Sequence, residues 1–161
     1  MILGMTVYTF VHVLLSLIGI ASGLLMLYGF LTGHVLKNAT TIFLVATAAT
    51  VLTGFGFPFK SFTPAIGVGL LCSLLLAVAI ASQQAFHLTG IWRSAFVIAA
   101  VASLYFNVFV LIVQAFQKIP ALHVLAPTGS EPPFAAAQGA TLLAFIIAGA
   151  LSVKRFHPHP T

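Results

Sequence analysis

A chain of 161 residues that is 61% hydrophobic and only 4% charged lacks the polar surface a soluble domain of this size needs, so its solvent must be lipid. Its formal charge of +5 comes from six Lys and Arg against a single acid, Glu131. These cations are spread one or two per loop rather than interleaved with exposed aromatics, which excludes nucleic acid as a partner and reads as a topology signal in contact with anionic headgroups.

The first apolar run covers about residues 7–32. The preceding "MILGMTVYTF" has no positive n-region and the run is too long for an h-region, so a retained helix is expected rather than a cleaved signal. The run carries Ser16, Gly19 and Gly23, the two glycines forming a GxxxG that lets a neighbouring backbone approach closely. His12 and His34 stand near its two ends, 22 positions apart. On a helix that is roughly 33 Å, about the thickness of a bilayer's hydrocarbon core.

The second run, about 41–57, is the shortest, and the glycines and Pro58 of "GFGFPFK" blur its end. It contributes Thr47, Thr50 and Thr53. The third, about 65–86, holds a ladder of small residues at four-residue steps: Gly69, Ser73, Ala77 and Ala81. Packing inside the bundle and contact with a second copy both fit such ladders. Cys72 is the only cysteine, so no disulfide forms within the chain, and it is expected to act as a small packing residue.

Trp92 and Arg93 mark an interfacial anchor before the fourth run, about 94–116. Here Ser103, Asn107 and Gln114 fall within about 40° of one another on the helical wheel. An amide facing hydrocarbon costs several kcal/mol, so this face must look inward. The longest loop follows, "QKIPALHVLAPTGSEPPF", with four prolines and the only acid. The fifth run, about 134–153, answers the polar face with Gln138 and Thr141. The expected fold is therefore all-α, a single polytopic transmembrane bundle of five spans over residues 1–155 with short loops. Residues 156–161, "FHPHPT", form a mobile cytoplasmic tail. Interhelical hydrogen bonding explains the polar face, and so does a polar cavity for a quinone headgroup or small solute.

Counting cations, Lys37, Arg93, Lys154 and Arg155 fall on one side, Lys60 and Lys118 on the other. Four against two places the first side in the cytoplasm, with the N-terminus out and the C-terminus in. A multi-pass protein of the bacterial inner membrane is the expected setting. No Asp, Glu, Lys or Arg lies in the middle of a span, which disfavours proton-coupled transport. No 20–50-residue repeat supports an inverted-repeat transporter.

The six histidines are the residues with the most evident chemical capacity. His12 and His123 share the outer side on this topology, while His34 and His87 share the inner side with the tail histidines His157 and His159. Paired histidines near each face are how membrane b-type cytochromes hold haem, which makes His12, His123, His34 and His87 candidate haem b ligands. Only His12 lies clearly within hydrocarbon, where it needs a partner. The competing expectation is a hydrogen-bonded His12 and ordinary interfacial histidines. No Cys or carboxylate joins them at metal-site spacing, so no metal centre is expected. With one acid and no H-E-x-x-H, G-x-S-x-G or phosphate loop, catalysis by the chain alone is not expected.

Three functions fit these features. The first is a non-catalytic subunit or accessory component of a membrane complex, packing on other membrane subunits or on a second copy through its small-residue faces. The second is a redox protein binding haem b or quinone through His12 and the Asn107–Gln114 face. The third is passive binding or permeation of a small uncharged solute along that face. Any functional centre is expected where the polar face of the fourth span, the loop with His123 and Glu131, and the start of the fifth span meet, with His12 reaching toward it.

Overall fold

A computed structural model describes residues 6–58 and 63–157. Regular structure among these residues is entirely helical: α1 Val7–Thr32, α2 Lys37–Phe55, α3 Pro64–Gln84, α4 Ile91–Lys118, the single turn α5 Pro120–His123, and α6 Pro132–Arg155. Five of these are long and apolar enough to cross a membrane. The spans expected from hydropathy are recovered with shifted ends. The largest difference is α2, which starts at Lys37 rather than near residue 41 and stops at Phe55 rather than 57. Apolar runs measure hydrocarbon thickness, whereas helices continue into the polar boundary until a breaker stops them. Lys60 and His159 lie outside the described residues.

Local chemistry sets the ends. Thr6 caps α1 by accepting the Thr9 N–H, and Thr63 caps α3 by accepting the Ile66 N–H ahead of Pro64 in the first turn. At the other end of α1, Gly33 adopts φ +75°, and the His34 N–H returns to the Gly29 carbonyl at 2.8 Å. This is a Schellman turn, in which a residue without Cβ occupies the left-handed position at no steric cost. Helix α4 stops where Ile119 goes extended before Pro120, as the residue ahead of a proline is driven to do. Helix α6 opens with Pro132 and Pro133, whose missing N–H groups would be unpaired there anyway.

Helices α1 to α4 form a ring: α1 packs on α2, α2 on α3, α3 on α4, and α4 back on α1. Helix α6 lies outside the ring against α4 and α1. The starts of α1, α3 and α6 therefore share one end of the bundle with the ends of α2 and α4. We call this the His12 end. The opposite end, with Lys37, Arg93, Lys154 and Arg155, is the Arg93 end. Its aromatic marker is a stacked Phe86–Trp92 pair, ring centres 3.7 Å apart.

Burial is uneven along the bundle. Buried positions run 19–30 on α1, 40–47 on α2, 72–82 on α3 and 96–104 on α4. Toward the His12 end of the spanning helices only Phe116 is added, and α6 buries only Ser152. The dense core thus occupies the half nearer the Arg93 end, around Met26, Phe30, Phe43, Leu76, Phe96 and Leu104. Its seat is Gly23. A Cβ there would stand 2.5 Å from Leu104 Cδ1 of α4 and 2.8 Å from Phe43 Cδ2 of α2, so the missing side chain lets α1 touch both neighbours at once.

Two arginines tie the Arg93 end together. Arg93 donates to the carbonyls of Val153, at 3.1 Å, and of Phe156. Arg155 donates to the Leu31 carbonyl at 3.1 Å. Each cation thus satisfies last-turn carbonyls that have no partner within their own helix, where the helix dipole also favours positive charge. Phe156, expected at the head of a mobile tail, is instead 1% exposed and packs between Phe30 and Phe96. An aromatic next to an open slot in the core docks rather than staying in water. The chain is held through Phe156, and residues 158–161 of the expected tail lie outside the described residues.

The Gly23 seat predicts a sharp contrast between two glycines. Gly23→Ala should destabilise the bundle by about 1–3 kcal/mol, the usual range for overpacking, whereas a Cβ at Gly139 meets nothing within 4 Å and Gly139→Ala should be neutral or slightly stabilising. Reversible unfolding in mixed micelles measures both.

Candidate functional site

His12 stands within the first two turns of α1 and faces the last turn of α2. Its Nδ1 lies 2.8 Å from Thr53 Oγ1, and its ring meets Phe57 edge-on with centres 5.1 Å apart. Tyr8, one turn earlier, donates to the Thr53 carbonyl at 2.6 Å and also packs edge-on against Phe57. This close fit needs a glycine at 56, where any Cβ would collide with the Tyr8 hydroxyl.

The Thr53 hydroxyl serves two sets of partners. The Thr53 hydroxyl has one proton, and it donates it within α2 to the Ala49 carbonyl at 2.7 Å, shared with Thr50 at 3.1 Å. With its proton on those carbonyls it accepts from a protonated Nδ1; with its proton turned toward His12 it donates to an unprotonated Nδ1. His12 thus has the hydrogen-bonded partner its apolar setting demands, and its Nε2 has no hydrogen-bond partner among the described residues.

The three polar residues of α4 have different settings. Ser103 is buried, and its hydroxyl has no hydrogen-bond partner among the described residues. Asn107 donates to Thr47 Oγ1 on α2 at 3.0 Å. Gln114 is half-buried further toward the His12 end. On α6, Gln138 donates to the Phe109 carbonyl of α4 at 3.2 Å, and its own buried carbonyl oxygen has no partner among the described residues. Thr141 spends its hydroxyl on the Ala137 carbonyl of its own helix, at 2.8 Å.

Three further histidines sit at the periphery. His34, His87 and His123 are exposed, in the α1–α2 loop, the α3–α4 loop and α5. His87 and Leu88 both adopt positive φ, 48° and 57°, a conformation that is uncommon for non-glycine residues and more tolerable for His than for Leu. Leu88 is held in it by packing against the core. None of the His12 contacts reaches another histidine, and no group of three or more His, Cys, Asp or Glu comes together among the described residues.

Among the small residues, Gly19 faces Thr47 and Ala46, Gly23 faces Phe43 and Leu104, and Gly69 faces the Phe55 ring, all within the chain. Ser73 bonds the Gly69 carbonyl, while Ala77 is exposed on the outer surface. Tyr8 and Phe57, which complete the setting of His12, carry no pattern in the sequence that marks them. Arg93 and Arg155 were legible only as topology signals, although an arginine within a turn of a helix end is also a candidate cap for a neighbouring helix.

The loop before α6 is organised by the only acid. Glu131 accepts the Thr128 N–H at 3.0 Å, the Thr128 hydroxyl at 2.9 Å and the Ser130 N–H at 3.0 Å. Partial desolvation raises its carboxyl, but the Thr128, Glu131 and Ser130 hydrogen bonds outweigh that and hold it at about 2, below the ordinary 4.5.

Two outcomes follow from these contacts. Thr53→Val leaves Nδ1 of His12 unpaired and should cost about 1 kcal/mol in micelle unfolding, with Thr53→Ser restoring it. The depressed Glu131 carboxyl stabilises its loop above about pH 4.5 and loses that contribution as pH falls through about 2. Protection of the Thr128 and Ser130 amides against hydrogen exchange, taken relative to the intrinsic rate at each pH, should fall across that window, and Glu131→Gln should show the low protection already at neutral pH.

No protein-family model matches the chain, and neither a curated protein nor a solved structure is significantly similar to it.

Proposed function

We propose that this membrane protein is a non-catalytic component of a larger assembly in the bacterial inner membrane, with its N-terminus outside and its C-terminus in the cytoplasm. The observation that supports it best is α6. This helix grips α4 and α1 with one side, yet none of its most apolar 18-residue window is buried. Leu142, Leu143, Ile146 and Ile147 stay exposed in a row that neighbouring membrane helices can cover. The polar groups at the centre are largely turned to internal hydrogen bonds such as Asn107–Thr47, consistent with a role in holding helices together. The orientation rests on the gathering of Lys37, Arg93, Lys154 and Arg155 at one end.

Extraction of native membranes in a mild detergent should release the chain in a complex of defined stoichiometry. A photo-reactive residue at Ile147 should crosslink to one membrane partner and Ile147→Trp should disperse the complex. A monodisperse 16.9 kDa chain with no crosslink would remove the proposal.

One observation favours a second function. Thr53 holds Nδ1 of His12 while Nε2 has no hydrogen-bond partner among the described residues, an arrangement in which a neighbouring side chain orients an imidazole toward a ligand. Haem b would take this nitrogen as an axial ligand, or a quinol would donate a hydrogen bond to it. Dithionite reduction of protein from haem-sufficient cells should give a haem b spectrum that His12→Ala abolishes. A colourless preparation eliminates haem.

A further inference from the structure

The α1–α2 hairpin carries a groove that the packing of the bundle does not need. It has a volume of about 620 Å³ and is lined by Ser22 and Leu25 of α1, by Val35 and Leu36 of the loop, and by Lys37 and Ile42 among the α2 residues. It opens at the Arg93 end and runs down the hairpin. Ser22 lies ten residues before the end of α1, so the groove descends roughly 15 Å along the helix axis. Polarity changes along that length. The mouth has the Lys37 ammonium and the Asn38 amide, and the floor and walls below are aliphatic apart from Ser22. The Ser22 hydroxyl is already committed to the Ile18 carbonyl at 2.7 Å. Leu25 is 58% exposed and Ile42 49%, so the aliphatic walls are open from the bilayer side.

Charge determines what fits the mouth. The only acid in the chain, Glu131, precedes α6 at the His12 end, a full membrane thickness away from Lys37. Among the described residues Lys37 therefore has no side-chain carboxylate to meet. Arg155, bound to the Leu31 carbonyl just before the loop, adds a second cation to the same end of α1. A cationic rim at headgroup depth, above an aliphatic slot that continues into hydrocarbon, matches a molecule with an anionic head and an aliphatic tail. We propose that this groove is a binding site for an anionic phospholipid, its phosphate at Lys37 and one acyl chain laid between Leu25 and Ile42. The inference requires only that the chain spans a bilayer, and it is independent of the accessory or redox role.

Native mass spectrometry of the full chain in detergent tests it, with dioleoylphosphatidylglycerol and dioleoylphosphatidylcholine as probes. One phosphatidylglycerol per chain should survive activation that strips phosphatidylcholine. Lys37→Gln should weaken its retention about fivefold, the effect of one cation near an anionic surface. Ile42→Trp should fill the slot and release the lipid while helical circular dichroism is unchanged, and Leu25→Trp on the opposite wall should do the same. Equal retention of the two lipids would overturn the proposal, as would tryptophan variants that keep phosphatidylglycerol. Displacement of the lipid by inorganic phosphate alone would reduce the site to an anion contact at Lys37 without a place for the chain. A lipid-free dimer that Ile42→Trp dissociates would assign the groove to a second copy instead.

Discussion

The close approach of three helices at Gly23 is the contact on which the remaining packing depends. Lipid chains are as apolar as leucine, so helices in a bilayer gain little by hiding hydrophobic surface from their solvent. What holds them is the quality of the fit, and fit improves steeply when backbones come close. At Gly23 the Phe43 ring and the Leu104 side chain occupy space that any other residue would claim. The aromatic cluster of Phe30, Phe96 and Phe156 is built on the same side of that point. The arginine contacts to carbonyls of α1 and α6 close the end of the bundle beyond it.

The two ends of the bundle consequently differ in character. Near Arg93 the interior is filled by large side chains, and near His12 the helices meet through hydrogen bonds and edge-on rings. Bonds such as His12–Thr53 and Tyr8–Thr53 specify a register without burying much surface. A segment with little buried apolar contact opens at lower free energy than a densely packed one. The His12 end is thus where the bundle can part without disturbing its core. That is the property a site for an incoming ligand needs, and equally the property of a surface that a partner subunit would complete.

Much of the architecture was legible in the sequence because hydropathy reports solvent directly. Five apolar runs became five long helices, and the boundary shifts at Lys37 and Phe55 arise because a helix answers to breakers as well as to apolarity. The inward direction of Asn107 was legible too, since an amide has nowhere else to go in hydrocarbon. Its partner was not: Thr47, Thr50 and Thr53 all lie near one face of α2, and only the vertical offset of the helices assigns Thr47 to Asn107 and Thr53 to His12. The outside position of α6 was equally hidden. A loop long enough to reach several places on the ring does not say where the next helix lands. Phe156 looked like tail because polar and proline residues follow it, and the slot that receives it is formed by residues about 60 and 126 positions earlier in the chain.

The Arg155 contact has a consequence for the order of assembly. Its guanidinium reaches the Leu31 carbonyl across 124 positions of chain, while Phe156, the next residue, fills the core beside Phe30. A chain that has emerged only as far as α4 can close the ring of four helices, but the end of α1 still has an uncapped carbonyl and an aromatic slot still stands empty. Completion waits until residues 155 and 156 have been made. The bundle's earliest helix is finished by its latest, so a chain interrupted before that point is recognisable as incomplete by the polar and apolar surface it leaves open at one end.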